Sequence, residues 1–167
     1  TTSAVNIASF LAITETPTLL IDMDPQANAS TGLGIEIHPK MKSIYDVLIN
    51  NKKISQCIQK TDIEYLEILP ACTQLSGAEI ELVSMFTRES ILKKAIKGIY
   101  GKYKYIIIDS PPSLGLLTVN IFTAAHSIII PIQCEYYALD GLSQLLHTIR
   151  LIQKNLNTGL RIEGILI

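Results

Sequence analysis

A three-layer α/β sandwich built on a mostly parallel sheet is the fold the sequence predicts, and three observations predict it. Short apolar runs alternate with helical patterns along the whole chain. The runs are apolar on consecutive residues rather than on every second one, the pattern of strands buried on both faces by covering helices. And with 48% hydrophobic residues against 17% charged ones, the 167-residue chain has enough apolar surface to collapse around one core.

Taken in order, Thr1-Thr2-Ser3 lead into the apolar helical pattern Ala4-Val5-Asn6-Ile7-Ala8, so hydroxyl residues stand where a helix begins. Thr18-Leu19-Leu20-Ile21-Asp22 is the first strand, set off by Pro17. A helical stretch over 44–50 precedes a second strand over 65–70. Helices over 74–86 and 88–100 lead to the clearest strand, Tyr103-Lys104-Tyr105-Ile106-Ile107-Ile108-Asp109. A helix over 116–124, a strand over 127–132, a helix over 138–155 and a strand over 161–167 complete the series. The chain opens without Met and stops on the last apolar residue of a strand, so both ends are expected to be cut.

Composition excludes several functions. No window approaches the ~18 uninterrupted apolar residues of a membrane span, so no stable membrane insertion is expected. With Lys+Arg 14 against Asp+Glu 15, the net charge of −1 supplies no global attraction for nucleic acid. The three cysteines, Cys57, Cys72 and Cys134, lack the spacing of a zinc site or a disulfide framework, and free thiols suit a cytoplasmic protein.

The chemistry gathers at strand ends, where ligands of parallel α/β folds sit. The first strand continues into Met23-Asp24-Pro25-Gln26; residues i and i+2 of an extended segment point the same way, so Asp22 and Asp24 are expected to aim two carboxylates at one spot. Two solvated aspartates in a turn explain the same motif. Ile106-Ile107-Ile108-Asp109, followed by Ser110-Pro111-Pro112-Ser113-Leu114-Gly115, has the Walker B form, in which the carboxylate holds a water of a Mg2+ shell. Gly115 would let backbone approach a phosphate closely. Thr1 and Thr2 open a helix, whose N-terminal N–H groups favour phosphate; plain N-capping by threonine is the alternative.

These segments, with Leu69-Pro70-Ala71, Gly77-Ala78-Glu79-Ile80-Glu81-Leu82 and the run from Pro131 to Leu142, resemble the ParA/Soj chromosome- and plasmid-partitioning ATPases, in order and over essentially the whole chain. The resemblance implies a P-loop NTPase-like fold with residues 1–167 as an incomplete nucleotide-binding domain, its first strand and KGGxGK loop lying before Thr1. It implies Mg2+ and ATP as cofactors, Thr1, Asp22 and Asp109 around the metal, and Thr1, Thr2, Pro111 and Gly115 against the nucleotide. Asp24 matches the family's water-orienting aspartate and is the catalytic candidate. Residues 110–115 would form the loop that senses the γ-phosphate.

For the whole protein the resemblance implies an ATP-bound homodimer on non-specific DNA, nucleoid-associated in the cytoplasm and stimulated by a ParB-like partner. A MinD-like division-site ATPase and a non-catalytic remnant without the P-loop lysine are the alternatives. The former would carry a C-terminal amphipathic membrane helix. An iron-protein-like reading would need cluster-ligating cysteines soon after Asp109, where there are none.

Elsewhere, Lys93, Lys94, Lys97, Lys102 and Lys104 form a run that reads as a solvated face or as a contribution to DNA contact. His38, His126 and His147 are isolated and read as structural. Cys134 reads as an inert buried thiol. Glu135 is either a solvated loop acid or the partner of a lysine in the loop expected before Thr1. Tyr100, Tyr103 and Tyr105 read as packing residues rather than a base-stacking platform.

Overall fold

A computed structural model describes residues 1–133 and 138–167, with the side chains of 138–140 left aside. Cys134 and Glu135 therefore lie outside the described residues. The strands are β1 (Thr18–Asp22), β2 (Gln59–Lys60), β3 (Leu66–Leu69), β4 (Tyr105–Asp109), β5 (Ser127–Pro131) and β6 (Arg161–Leu166). The helices are α1 (Thr2–Ile13), α2 (Asn28–Gly32), α3 (Ile44–Leu48), α4 (Leu75–Val83), α5 (Ile91–Lys97), α6 (Leu116–Ala124) and α7 (Ala138–Asn155).

β1 lies between β3 and β4 and is parallel to both, while the short β2 pairs antiparallel with β3. β5 and β6 form a separate parallel pair. No ladder joins β4 to β5 among the described residues. The chain leaves β1 to build β3 on one side and β4 on the other, so the carboxyl end of β1 is a topological switch point.

Both faces of β1 are covered, because side chains of a strand alternate between faces. Leu19 and Ile21 pack into the larger core with Leu75, Leu92, Leu117 and Phe122 from α4, α5 and α6. Leu20 turns to the other side, against Ala8 and Ala12 of α1 and Ala29 of α2. All five residues of β1 are buried, as consecutive apolar residues predict.

The outer strands depart from that expectation. β4 is only half-buried until Asp109, and β5 and β6 are largely exposed. Among the described residues β4 is hydrogen-bonded to β1 alone. Two further elements carry no apolar pattern and were not anticipated: β2, a two-residue edge, and α2, a single polar turn rich in Ala, Ser and Thr. The stretch over 88–100 is broken, with a 3-10 turn at Arg88–Ser90 ahead of α5.

Candidate functional site

Parallel register brings Asp22 and Asp109 side by side at the carboxyl ends of β1 and β4, and the Met23 N–H donates to the Asp109 carbonyl at 3.0 Å. Their carboxylates differ in how they are held. Asp22 is fully buried. Its Oδ1 accepts the Asp24 N–H at 3.0 Å, and its Oδ2 accepts the Ser30 N–H at 2.8 Å and the Ser30 hydroxyl at 2.7 Å. The same hydroxyl accepts the Ala71 N–H at 3.1 Å, so one serine ties the ends of β1 and β3 to α2. Burial pushes the Asp22 carboxyl above its ordinary range, the bonds from Ser30 and Asp24 oppose this, and neighbouring Asp109 adds to the rise.

Asp109 is 4% exposed, and its Oδ2 is buried without a hydrogen-bond partner. Burying a carboxylate oxygen unsatisfied costs several kcal/mol, about 1–3 even for an ordinary polar group. An oxygen-seeking cation or a water in its shell would relieve that cost, so the donor set fits Mg2+. Among the described residues no group of three or more His, Cys, Asp or Glu could hold a metal by itself. Magnesium commonly takes only one or two carboxylates, with substrate phosphates and waters completing its shell.

Thr1 stands at the same end of the sheet, its nitrogen 3.1 Å from Oδ1 of Asp109. It precedes α1 without a side-chain capping bond, so plain N-capping is not the use of its hydroxyl here. Thr1 and Thr2 are both exposed.

Asp24 is 8% exposed, and its Oδ1 accepts the Gln26 N–H at 2.9 Å. Its carbonyl accepts the Ala27 N–H at 2.9 Å, closing a turn in which Ala27 takes a left-handed φ of 54°. β1 ends at Asp22, so Asp24 lies just past the strand, at the start of the turn that follows it. The acid whose charge bears on Asp22 is Asp109, across the ladder.

Beyond β4, a cavity of about 990 Å3 opens between the loop 110–114, the end of β5 and α7, with Ser3, Ser110, Pro111, Gln133 and Leu142 among its walls. Pro111 faces it directly. Gly115 does approach another group closely, but that group is a side chain. A Cβ on Gly115 would lie 2.0 Å from Oε1 of Glu79 on α4. Sequence alone gives Glu79 no role, because nothing local signals a contact between residues so far apart in the chain.

Parallel strands sandwiched between helices, with a Walker B-type aspartate at the switch point, define a P-loop NTPase-like domain. The chain belongs to the AAA-domain family, whose AAA_31 pattern matches residues 1–162, and within it to the ParA/Soj group. It is 53% identical over 167 residues to the sporulation initiation inhibitor protein Soj of Bacillus subtilis, covering 100% of the chain and 66% of that protein. It is 52% identical over 167 residues to the chromosome partitioning protein ParA of Myxococcus xanthus, covering 100% of the chain and 59% of the relative. Cobyrinic acid a,c-diamide synthase from Mycobacterium smegmatis, solved with a bound ATP analog and magnesium, superposes with a TM-score of 0.92 at 38% identity, over 98% of this chain and 67% of that one. The chain thus spans 59 to 66% of the length of these two curated relatives.

Proposed function

We propose that this chain is the nucleotide-binding part of a ParA-type partitioning ATPase. ATP with Mg2+ binds at the carboxyl ends of β1 and β4, and two copies join in the ATP-bound state as a dimer on non-specific DNA of the nucleoid, in the cytoplasm. Hydrolysis to ADP, stimulated by a ParB-like partner, ends that state. The observation that carries the reading is the buried, unpartnered Oδ2 of Asp109 beside Asp22 and Thr1.

Bound Mg2+ would supply charge neutralisation for the phosphates during transfer. The Asp109 carboxylate would hold a water of its shell. Asp22 has three of the roughly four lone-pair sites of a carboxylate engaged, so it contributes from behind while keeping the turn and α2 in place. The Thr1 hydroxyl, free of any capping bond, would be a ligand of the metal, and Thr2 would contact the phosphate. Pro111 and Gly115 set the loop against the nucleotide. Asp24, whose Oδ1 is fixed by the Gln26 amide, orients the attacking water with its other oxygen.

The test is Asp24→Ala in the full-length protein. Loss of a water-orienting group should lower ATP turnover at least about 100-fold while leaving ATP affinity and ATP-dependent dimerisation within a few-fold of the parent. Parental turnover in the variant, or loss of ATP binding, refutes the role assigned to Asp24.

A further inference from the structure

The loop 110–115 and the first turn of α6 are held from outside by a residue of α4. α6 begins after Gly115, and no side chain of the flanking chain caps it. The Leu117 N–H of its first turn instead donates to Oε1 of Glu79, at 3.4 Å. The carboxylate lies over Gly115, in the space a Cβ would fill. Oε1, Cδ and Oε2 stand 2.0, 2.6 and 2.6 Å from that position. The Gly115 backbone itself is extended, with φ −97° and ψ −164°, a conformation open to any residue. Glycine is required here by the carboxylate, not by the backbone.

Two neighbours extend the arrangement. The Thr118 hydroxyl donates to the Ser113 carbonyl at 2.6 Å, tying α6 to the same loop from its own side. A small pocket of about 230 Å3 has Glu79 in its wall with Pro25, Pro111, Ser113 and Leu117. Glu79 therefore stands where the turn that follows Asp24 meets the loop that follows Asp109. A negative charge at a helix N-terminus is favoured, since it meets unsatisfied N–H groups and the positive end of the dipole.

We infer that Glu79 is a positioning residue: it latches the loop 110–115 and the first turn of α6 to α4, and so sets the geometry in which that loop meets the nucleotide. The second half rests on the function proposed above; the first half does not.

The experiment uses the full-length protein and four variants: Glu79→Ala, Glu79→Gln, Gly115→Ala and the double variant Glu79→Ala/Gly115→Ala. Amide hydrogen exchange at 115–118, without nucleotide, reads the latch by itself, and a urea midpoint for each variant separates local loosening from global unfolding. Glu79→Ala should speed exchange at Leu117 by about tenfold or more. Glu79→Gln, whose amide oxygen still accepts, should restore part of the protection. In turnover, kcat should fall about tenfold with the KM for ATP within threefold, and Gln should again recover part of it.

The decisive comparison is the double variant. In amide exchange without nucleotide, Gly115→Ala pushes the carboxylate aside, so alone it should mimic Glu79→Ala, and added to Glu79→Ala it should change little. Additive effects, or unchanged exchange at 115–118 in Glu79→Ala, overturn the inference. If the parent binds no ATP, the proposed function fails, while the exchange measurements still decide the latch.

Discussion

Asp22 and Asp109 neighbour each other in the ladder, yet one carboxylate is saturated by the chain and the other has an oxygen with nothing to accept from. Their loss should therefore be felt differently. Asp22→Asn presents an NH2 group to donors that need an acceptor, and should cost about 1–3 kcal/mol of stability, read as a lower urea midpoint. Asp109→Asn removes a buried carboxylate whose Oδ2 has no hydrogen-bond partner, so stability should hold or rise, while Mg2+-dependent nucleotide binding weakens by about tenfold or more. Equal loss of stability in the two variants, with nucleotide binding unchanged in Asp109→Asn, would contradict this division of labour.

Among the elements, β3 and the approach to β4 are joined at the far end of the sheet by Glu67, Lys102 and Tyr103. Lys102 reaches Glu67 at 2.7 Å, and the Tyr103 hydroxyl donates to the same carboxylate oxygen. The Lys102 ammonium also stands 4.9 Å above the Tyr103 ring. This lysine, read in sequence as one of a solvated or DNA-facing run, is engaged within the fold. Lys94 likewise donates to the Thr87 hydroxyl, at 2.6 Å. Burial, then the bond to Glu67, pushes the Tyr103 hydroxyl from 10.0 up to about 12. A raised folded pKa means the unfolded chain loses this proton first. The contribution is intact below pH 10 and fades as pH rises towards about 12. Tyr103→Phe should flatten part of that alkaline loss, seen as a smaller drop in urea midpoint between pH 9 and pH 11.5. An unchanged drop would show that the alkaline limb belongs to other groups.

In the whole molecule, stability should be graded from the middle of the larger sheet outwards. β1 is paired on both edges and buried on both faces, whereas among the described residues β6 is hydrogen-bonded to β5 alone and mostly exposed. Amide exchange should accordingly be slowest in β1, intermediate in β4 and fastest in β6. Equal protection of β1 and β6 would mean that the two sheets open as one unit. Among the described residues no helix is long and apolar enough to cross a membrane.

Local pattern was enough to read the elements that bury consecutive apolar residues. β1 and α6 fall within their expected bounds because both sides of β1 and most of α6 are packed, so hydrophobicity records their burial. α2 and β2 left no such record: α2 is held by the Ser30 bonds to Asp22, and β2 by its ladder to β3. The sequence by itself determined the family, the mostly parallel α/β class, and the candidates Asp22, Asp24 and Asp109, since these are read from residue type and spacing along one segment at a time. Only the tertiary structure decided that Asp22 stands beside Asp109 in the ladder, that Asp109 keeps a buried Oδ2 without a partner, and that Glu79 fills the space over Gly115. Each of these is a contact between segments far apart in the chain, set by strand register and helix packing, and no local spacing encodes it.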